Sequence, residues 1–95
     1  MDISIVIPLI DEAESLPELT AWIEKVMDEH RYSYEVIYVD DGSSDNSWEV
    51  IEQLRSKNPN IKGIKFHLNY CKSAGLNVAF RAASGEVVIT MDADL

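Results

Sequence analysis

The sequence has a single cysteine, Cys71, among 95 residues. That excludes an internal disulfide and a cysteine-based zinc cluster, and it fits a reducing compartment such as the cytoplasm. Positive charge is also scarce. Eight Lys and Arg stand against 17 Asp and Glu, for a net charge of -9. Such a balance argues against nucleic-acid binding and against attraction to anionic lipid. No apolar run reaches the ~18 residues of a membrane helix. Met1-Asp2-Ile3 leads straight into a strand pattern, with no basic and apolar leader of a secretory signal. Glycine (4) and proline (3) are too few for a linker or a low-complexity tract, and no repeat is visible. The length allows one domain.

What remains is an alternation of apolar patterns. Ile3-Ser4-Ile5-Val6-Ile7-Pro8 is β-branched and ends at a proline, as a strand does. Ser15 and Glu18 have the spacing of a capping box, with Pro17 in the first turn. Leu16, Leu19, Ile23, Val26 and Met27 then recur at helical spacing as far as about His30. Residues 34–40 read as a second strand. Trp48, Ile51 and Leu54 mark a second helix that Asn58-Pro59-Asn60 ends; its cap is one of Ser44, Asp45 or Asn46, with Asp45 preferred. Ile61 to His67 reads as a third strand. Leu76, Ala79, Phe80 and Ala83 give a third helix its apolar face, with Gly85 as C-cap. Glu86 to Met91 is a fourth strand. Trp22 and Trp48 read as core. The order βαβαβαβ, with right-handed crossovers, predicts an α/β fold with a mainly parallel, Rossmann-like sheet.

In such sheets ligands bind at the carboxyl edge of the strands. Polar groups collect there: Asp11 and Glu12, Asp40 and Asp41, His67 to Lys72, Asp92 and Asp94. The turn Asp40-Asp41-Gly42-Ser43 resembles a phosphate loop, but two carboxylates would repel a phosphate. A carboxylate accepts hydrogen bonds only, so Asp41 suits a ring N–H or a ribose hydroxyl. Alternatively, Asp40 or Asp41 tightens the turn. Asp92 and Asp94 are hard oxygen ligands for Mg²⁺ or Mn²⁺, and a cation there reconciles the acidic edge with a phosphorylated ligand. Their bland alternative is a solvated acidic strand end. Lys72 meets a ligand phosphate, pairs with Asp41, or is an ordinary surface lysine. Cys71 has no histidine beside it and no nucleophilic role.

Four segments in order resemble the N-terminal part of family-2 inverting glycosyltransferases: Ile5-Val6-Ile7-Pro8 with Asp11-Glu12-Ala13-Glu14, Val39 to Asp45, Asn69-Tyr70-Cys71-Lys72, and Met91 to Leu95. The nearest branch comprises dolichyl-phosphate mannose synthases and bacterial polyprenyl-phosphate glycosyltransferases. The resemblance implies the glycosyltransferase A-type fold, truncated, with residues 1–95 as its nucleotide-sugar-binding half. It implies that Pro8, Glu12 and Asp41 line a nucleoside pocket, with Asp41 on the base. Lys72 would lie beside the nucleotide, and Asp92 and Asp94 would hold Mg²⁺ or Mn²⁺ on the donor diphosphate. The donor would be a UDP- or GDP-sugar and the acceptor a polyprenyl phosphate, at the cytoplasmic face of a membrane. Asp11 stands where the family often has asparagine, Cys71 where it often has glycine, and Gly75 where it often has alanine. The chain stops straight after the acid pair, as the front part of a longer protein does, so the catalytic base is expected beyond Leu95 and the 95 residues alone are expected to be inactive. Two other readings compete. One is a non-catalytic Mg²⁺- or nucleotide-binding module, such as a receiver-like signalling domain. The other is a homo-oligomer built through an exposed sheet edge.

Overall fold

The β-branched runs form strands and the 3.6-spaced runs form helices. In the computed structural model, which describes residues 1–66 and 79–93, the elements are β1 (Ile3–Leu9), α1 (Leu16–His30), β2 (Tyr34–Asp41), α2 (Ser47–Lys57), β3 (Ile61–Phe66) and β4 (Val87–Thr90). Residues 79–82 are also helical. The four strands form one sheet in the order β3-β2-β1-β4, with every neighbour parallel. A receiver-like wrap has the order 2-1-3-4-5. Here β3 lies outside β2 and β4 joins β1, so that alternative does not describe the sheet.

β1 and β2 are interior strands and are apolar on both faces, as parallel strands under helices must be. Ile5, Ile7 and Leu9 of β1 and Tyr34, Val36 and Tyr38 of β2 share one face with Leu16, Leu19, Ile23 and Met27 of α1 and Ile51 of α2. Val6, Ile37 and Val39 turn to the other face and meet Ala79. Both named helices therefore cover one face, and the 79–82 helix covers the other.

A proline in an interior strand needs a reason, because it cannot donate to a ladder. The Met91 N–H donates to the Val6 carbonyl at 3.2 Å, so even-numbered residues of β1 address β4. The β1–β4 register ends at Val6–Thr90. Pro8 lies past that point, where no ladder bond is lost.

Several local expectations are corrected. Ser15 does cap α1, but with α-region angles (φ -82°, ψ -24°) and no side-chain hydrogen bond, so the capping box with Glu18 does not form. The N-cap of α2 is Asn46, also without a side-chain bond. Trp22 is 56% exposed and Phe80 44%, so neither belongs to the core. Gly85 is not a left-handed cap, because Gly42 (φ 85°) is the positive-φ glycine among the described residues. The left-handed C-cap belongs instead to Arg31 of α1 (φ 58°).

Within the core, Thr20 of α1 and Tyr38 of β2 share a buried side-chain hydrogen bond. Burial holds the Tyr38 phenol above its ordinary pKa despite that bond. Thr20→Val should leave a buried hydroxyl unpartnered and cost about 2 kcal/mol. Adding Tyr38→Phe should recover part of that loss. Urea midpoints of the single and double variants check this, and a double variant worse than the sum would contradict it.

Candidate functional site

The chain runs from β1 outward to β3, then crosses back to place β4 on the opposite side of β1. That reversal makes a switch point between the carboxyl ends of β1 and β4, where open α/β sheets bind ligands. The loop 10–13 leaves β1 on one side of it, and Met91-Asp92-Ala93 leaves β4 on the other. Ala93 is buried in the core cluster, while Asp92 is exposed. The small residue anchors the turn and the carboxylate reaches solvent at the switch point.

β2 ends with two carboxylates that do different work. Strand alternation sends Asp40 and Asp41 to opposite faces. Asp40 is 1% exposed, and its Oδ1 accepts the Ser43 N–H at 2.8 Å. It is the turn-tightening aspartate, and Gly42, at φ 85°, takes the left-handed step that the turn needs. Asp40 Oδ2 is buried and meets no hydrogen-bond donor among the described residues. Its register partner Lys65 shares its face, but the Lys65 ammonium lies over the Trp48 ring, 5.6 Å from the centroid. Asp41 is half-buried. It shares with Pro8 the face that carries Val6, Val39 and Ala79. Of the pair, Asp41 is thus the one on the face that the 79–82 helix covers.

Three successive N–H groups leaving β1 are bound by the turn before α2 and by the first residue of α2. Asp11 N–H donates to Ser43 Oγ at 2.8 Å, Glu12 N–H to Ser47 Oγ at 3.1 Å, and Ala13 N–H to Asp45 Oδ2 at 3.4 Å. In return Asp11 Oδ1 accepts the N–H groups of Ser44 at 2.7 Å and Asp45 at 3.1 Å. Asp11 sits at φ 54°, a left-handed position that asparagine and aspartate tolerate better than other side chains. That explains how aspartate replaces asparagine here. Asp45 is not the N-cap, but its Oδ1 accepts the Ser47 N–H at 2.9 Å and the Ser47 hydroxyl at 2.5 Å, so it serves the helix start from one position earlier. The Ser47 hydroxyl first, and the backbone donors after it, hold the Asp45 carboxyl below its ordinary pKa against the opposing effect of burial.

Of the residues expected in the site, Pro8, Glu12, Asp41 and Asp92 all lie at this edge, with Pro8 and Glu12 half-buried. Lys72 and Asp94 fall outside the described residues, as do His67 and the start of the third helix. Among the described residues no three His, Cys, Asp or Glu side chains stand together as a metal site. Asp92 offers an exposed hard oxygen donor at the switch point, which is the chemistry that Mg²⁺ or Mn²⁺ requires.

Two participants escaped the sequence reading. Ser47 is buried and joins both loops; its signal was a serine at the first position of a helix beside an acidic residue. Glu35 is buried at the opposite edge of the sheet; its signal was a charge inside the apolar run Tyr34-Glu35-Val36-Ile37, facing Ser4 in β1.

A family model described as glycosyl transferase family 2 matches residues 4–95. The chain is 42% identical over 94 residues to an undecaprenyl-phosphate 4-deoxy-4-formamido-L-arabinose transferase of Pseudomonas fluorescens, covering 98% of this chain and 28% of that protein. Among solved structures it is similar to the mannosyltransferase PcManGT from Pyrobaculum calidifontis in complex with GDP-Man and Mn²⁺ (26% identity, TM-score 0.82, 97% of this chain and 27% of that one). It is also similar to S. aureus TarS in complex with UDP-GlcNAc (30% identity, TM-score 0.82, 99% and 27%). The chain therefore spans about a quarter of the length of each of these proteins.

Proposed function

The chain belongs to glycosyl transferase family 2, and from that premise we propose that residues 1–95 are the donor-binding part of an enzyme that moves a sugar from a nucleoside diphosphate to an acceptor. The observation that carries this reading is the convergence at the switch point. Pro8 lies near the end of β1, Glu12 in the loop after it, Asp41 at the end of the neighbouring β2, and Asp92 just past β4.

In this reading Asp41 accepts a hydrogen bond from the nucleobase or ribose, and Pro8 and Glu12 form the wall beside it. Asp92, with Asp94, holds a divalent cation, and Lys72 sits next to the nucleotide. When bound, that cation neutralises the diphosphate and stabilises the charge left on it as the glycosidic bond breaks. The sugar C1–O bond to the diphosphate breaks as a bond from C1 to an acceptor oxygen forms on the opposite face, with inversion. The roles assigned to these residues are in donor binding, and none of them is the base that takes the acceptor proton. Mn²⁺ in the similar mannosyltransferase complex supports a divalent ion, with Mg²⁺ an equal candidate. GDP-Man and UDP-GlcNAc in the similar structures support a UDP- or GDP-sugar donor.

The undecaprenyl-phosphate relative supports a polyprenyl phosphate acceptor, and with it a place at a membrane, for which we propose the cytoplasmic face. No helix among the described residues is long and apolar enough to cross one. The open edge of β4 exposes Val87, Val88 and Ile89. A second copy or a further strand would add there.

Calorimetric titration with UDP-GlcNAc and GDP-mannose, with and without Mn²⁺, tests the reading. One donor should bind with an affinity that rises when Mn²⁺ is present. Asp92→Ala should remove at least about tenfold of that gain, since carboxylate and metal act as one unit. A folded chain that binds neither nucleotide sugar would overturn the proposal.

A further inference from the structure

The reciprocal bonds between the loop after β1 and the turn after β2 do more than close a turn. They join segments more than thirty residues apart in sequence: 32 for Asp11 N–H to Ser43 Oγ, 33 for the Ser44 N–H to Asp11 Oδ1, and 34 for the Asp45 N–H to the same oxygen. An aspartate that merely stabilised its own left-handed turn would bond its near neighbours. Asp11 instead spends its carboxylate and its N–H on the other loop. The Ser44 hydroxyl adds contacts at 3.3 Å to both Asp11 oxygens.

The two segments so joined carry Glu12 on one side and Asp41 on the other. We infer that Asp11 is a positioning residue: it locks the loop bearing Glu12 against the turn bearing Asp41, and so fixes the separation of the two pocket walls before any ligand arrives. This rests on the nucleotide-binding reading above. The role assigned to Asp11 is indirect: its Oδ1 is taken by the two turn N–H groups, and the ligand contacts are left to Glu12 and Asp41. Ser43 is its counterpart, since its hydroxyl accepts the Asp11 N–H while its own N–H is held by Asp40. The requirement on position 11 is twofold: tolerance of φ near +54°, and an oxygen placed to accept two N–H groups. Aspartate and asparagine meet both. Alanine meets neither.

The test compares Asp11→Asn, Asp11→Ala and Ser43→Ala with the unmodified chain. Nucleotide-sugar affinity is measured by calorimetry with Mn²⁺, and exchange of the Ser44 and Asp45 amide protons by NMR, both well below each variant's melting midpoint. Asp11→Ala should weaken the nucleotide sugar by about tenfold or more, the scale on which misplaced binding groups act, and should speed exchange of both amides. Asp11→Asn should restore both to near the unmodified chain, within about threefold. Ser43→Ala should fall between them.

If a folded Asp11→Ala chain binds as the unmodified chain does, Asp11 is only structural and the inference fails. It also fails if Asp11→Asn is as weak as Asp11→Ala, because the charge rather than the clasp would then matter. Should the unmodified chain bind no nucleotide sugar, the functional reading falls and takes this inference with it. Amide exchange would still report separately whether Asp11 holds the two loops together.

Discussion

Gly85→Ala is expected to destabilise the chain by about 3 kcal/mol, at the upper end of overpacking substitutions. A Cβ at position 85 would stand 2.5 Å from the Ser4 nitrogen, 2.7 Å from the Ile3 carbonyl carbon and 2.7 Å from Ser4 Oγ. Two of those atoms are backbone of an interior strand and cannot rotate away. Relief requires β4 to move off β1, which would break the Gly85 N–H bond to Ser4 Oγ (2.7 Å) and the Val87 N–H bond to the Asp2 carbonyl (3.1 Å). Urea unfolding gives the magnitude, and amide exchange should show β4 opening before β1 and β2. A midpoint within experimental error of the unmodified chain would show that the two segments are not so closely apposed.

The second large effect concerns Glu35, which is fully buried and accepts from four donors. The Lys62 ammonium lies 2.5 Å from Oε1. Ser4 Oγ at 2.5 Å, the Ser84 N–H at 2.7 Å and Ser84 Oγ at 3.0 Å all address Oε2. Burial pushes this carboxyl up, but the bonds from Lys62, Ser4 and Ser84 outweigh it and bring the pKa from 4.5 down to about 2. A carboxylate with a lowered folded-state pKa stabilises the fold above its unfolded value and loses that contribution as pH falls through the folded one. The window here runs from about pH 4.5 to about pH 2. The drop is worth on the order of 3 kcal/mol. Glu35→Gln should therefore cost about 2–3 kcal/mol at pH 7, and the deficit should shrink as pH approaches 2, because protonation deprives the unmodified chain of the same charge. Urea titrations at pH 7, 4 and 2.5 check this. A deficit that stays constant with pH would mean that the lost contact is steric and not ionic.

These two positions also mark where sequence reading stopped. The strands were legible because Ile3 to Pro8 and Val36 to Val39 leave β-branched chains little other conformation. α1 was legible because Leu16, Leu19, Ile23 and Met27 need one buried stripe. Handedness rules made the sheet parallel, but nothing local told β4 to join β1 rather than β3. That choice is made by Gly85 fitting against Ser4 and by Ser84 meeting Glu35, and both depend on residues far apart in the chain. The capping box failed for a local reason. Ser15 and Glu18 have the right spacing, yet the capping bond needs extended backbone at the cap, and Ser15 lies in the α region, in a turn closed by its N–H on the Glu12 carbonyl (3.1 Å). At the site, the acidic edge and its strand-end positions were readable from order alone. The division of labour between Asp40 and Asp41 follows from strand alternation once the covering helices are known. The role of Asp11 could be seen only when two loops were placed side by side.

The bond between Gly85 and Ser4 spans 81 residues. β1 is synthesised well before the segment that covers its second edge. At roughly 5–20 residues per second of translation, that interval is about 4–16 s. Throughout it the β4 side of β1, from Ser4 to Val6, is an unpaired apolar edge on the nascent chain, open to any strand that passes. Ser4 places a hydroxyl at the amino end of that edge, where it donates to Glu35 of β2. In the folded chain the Ser4 hydroxyl ties the three segments together, donating to Glu35 and accepting from the Gly85 N–H.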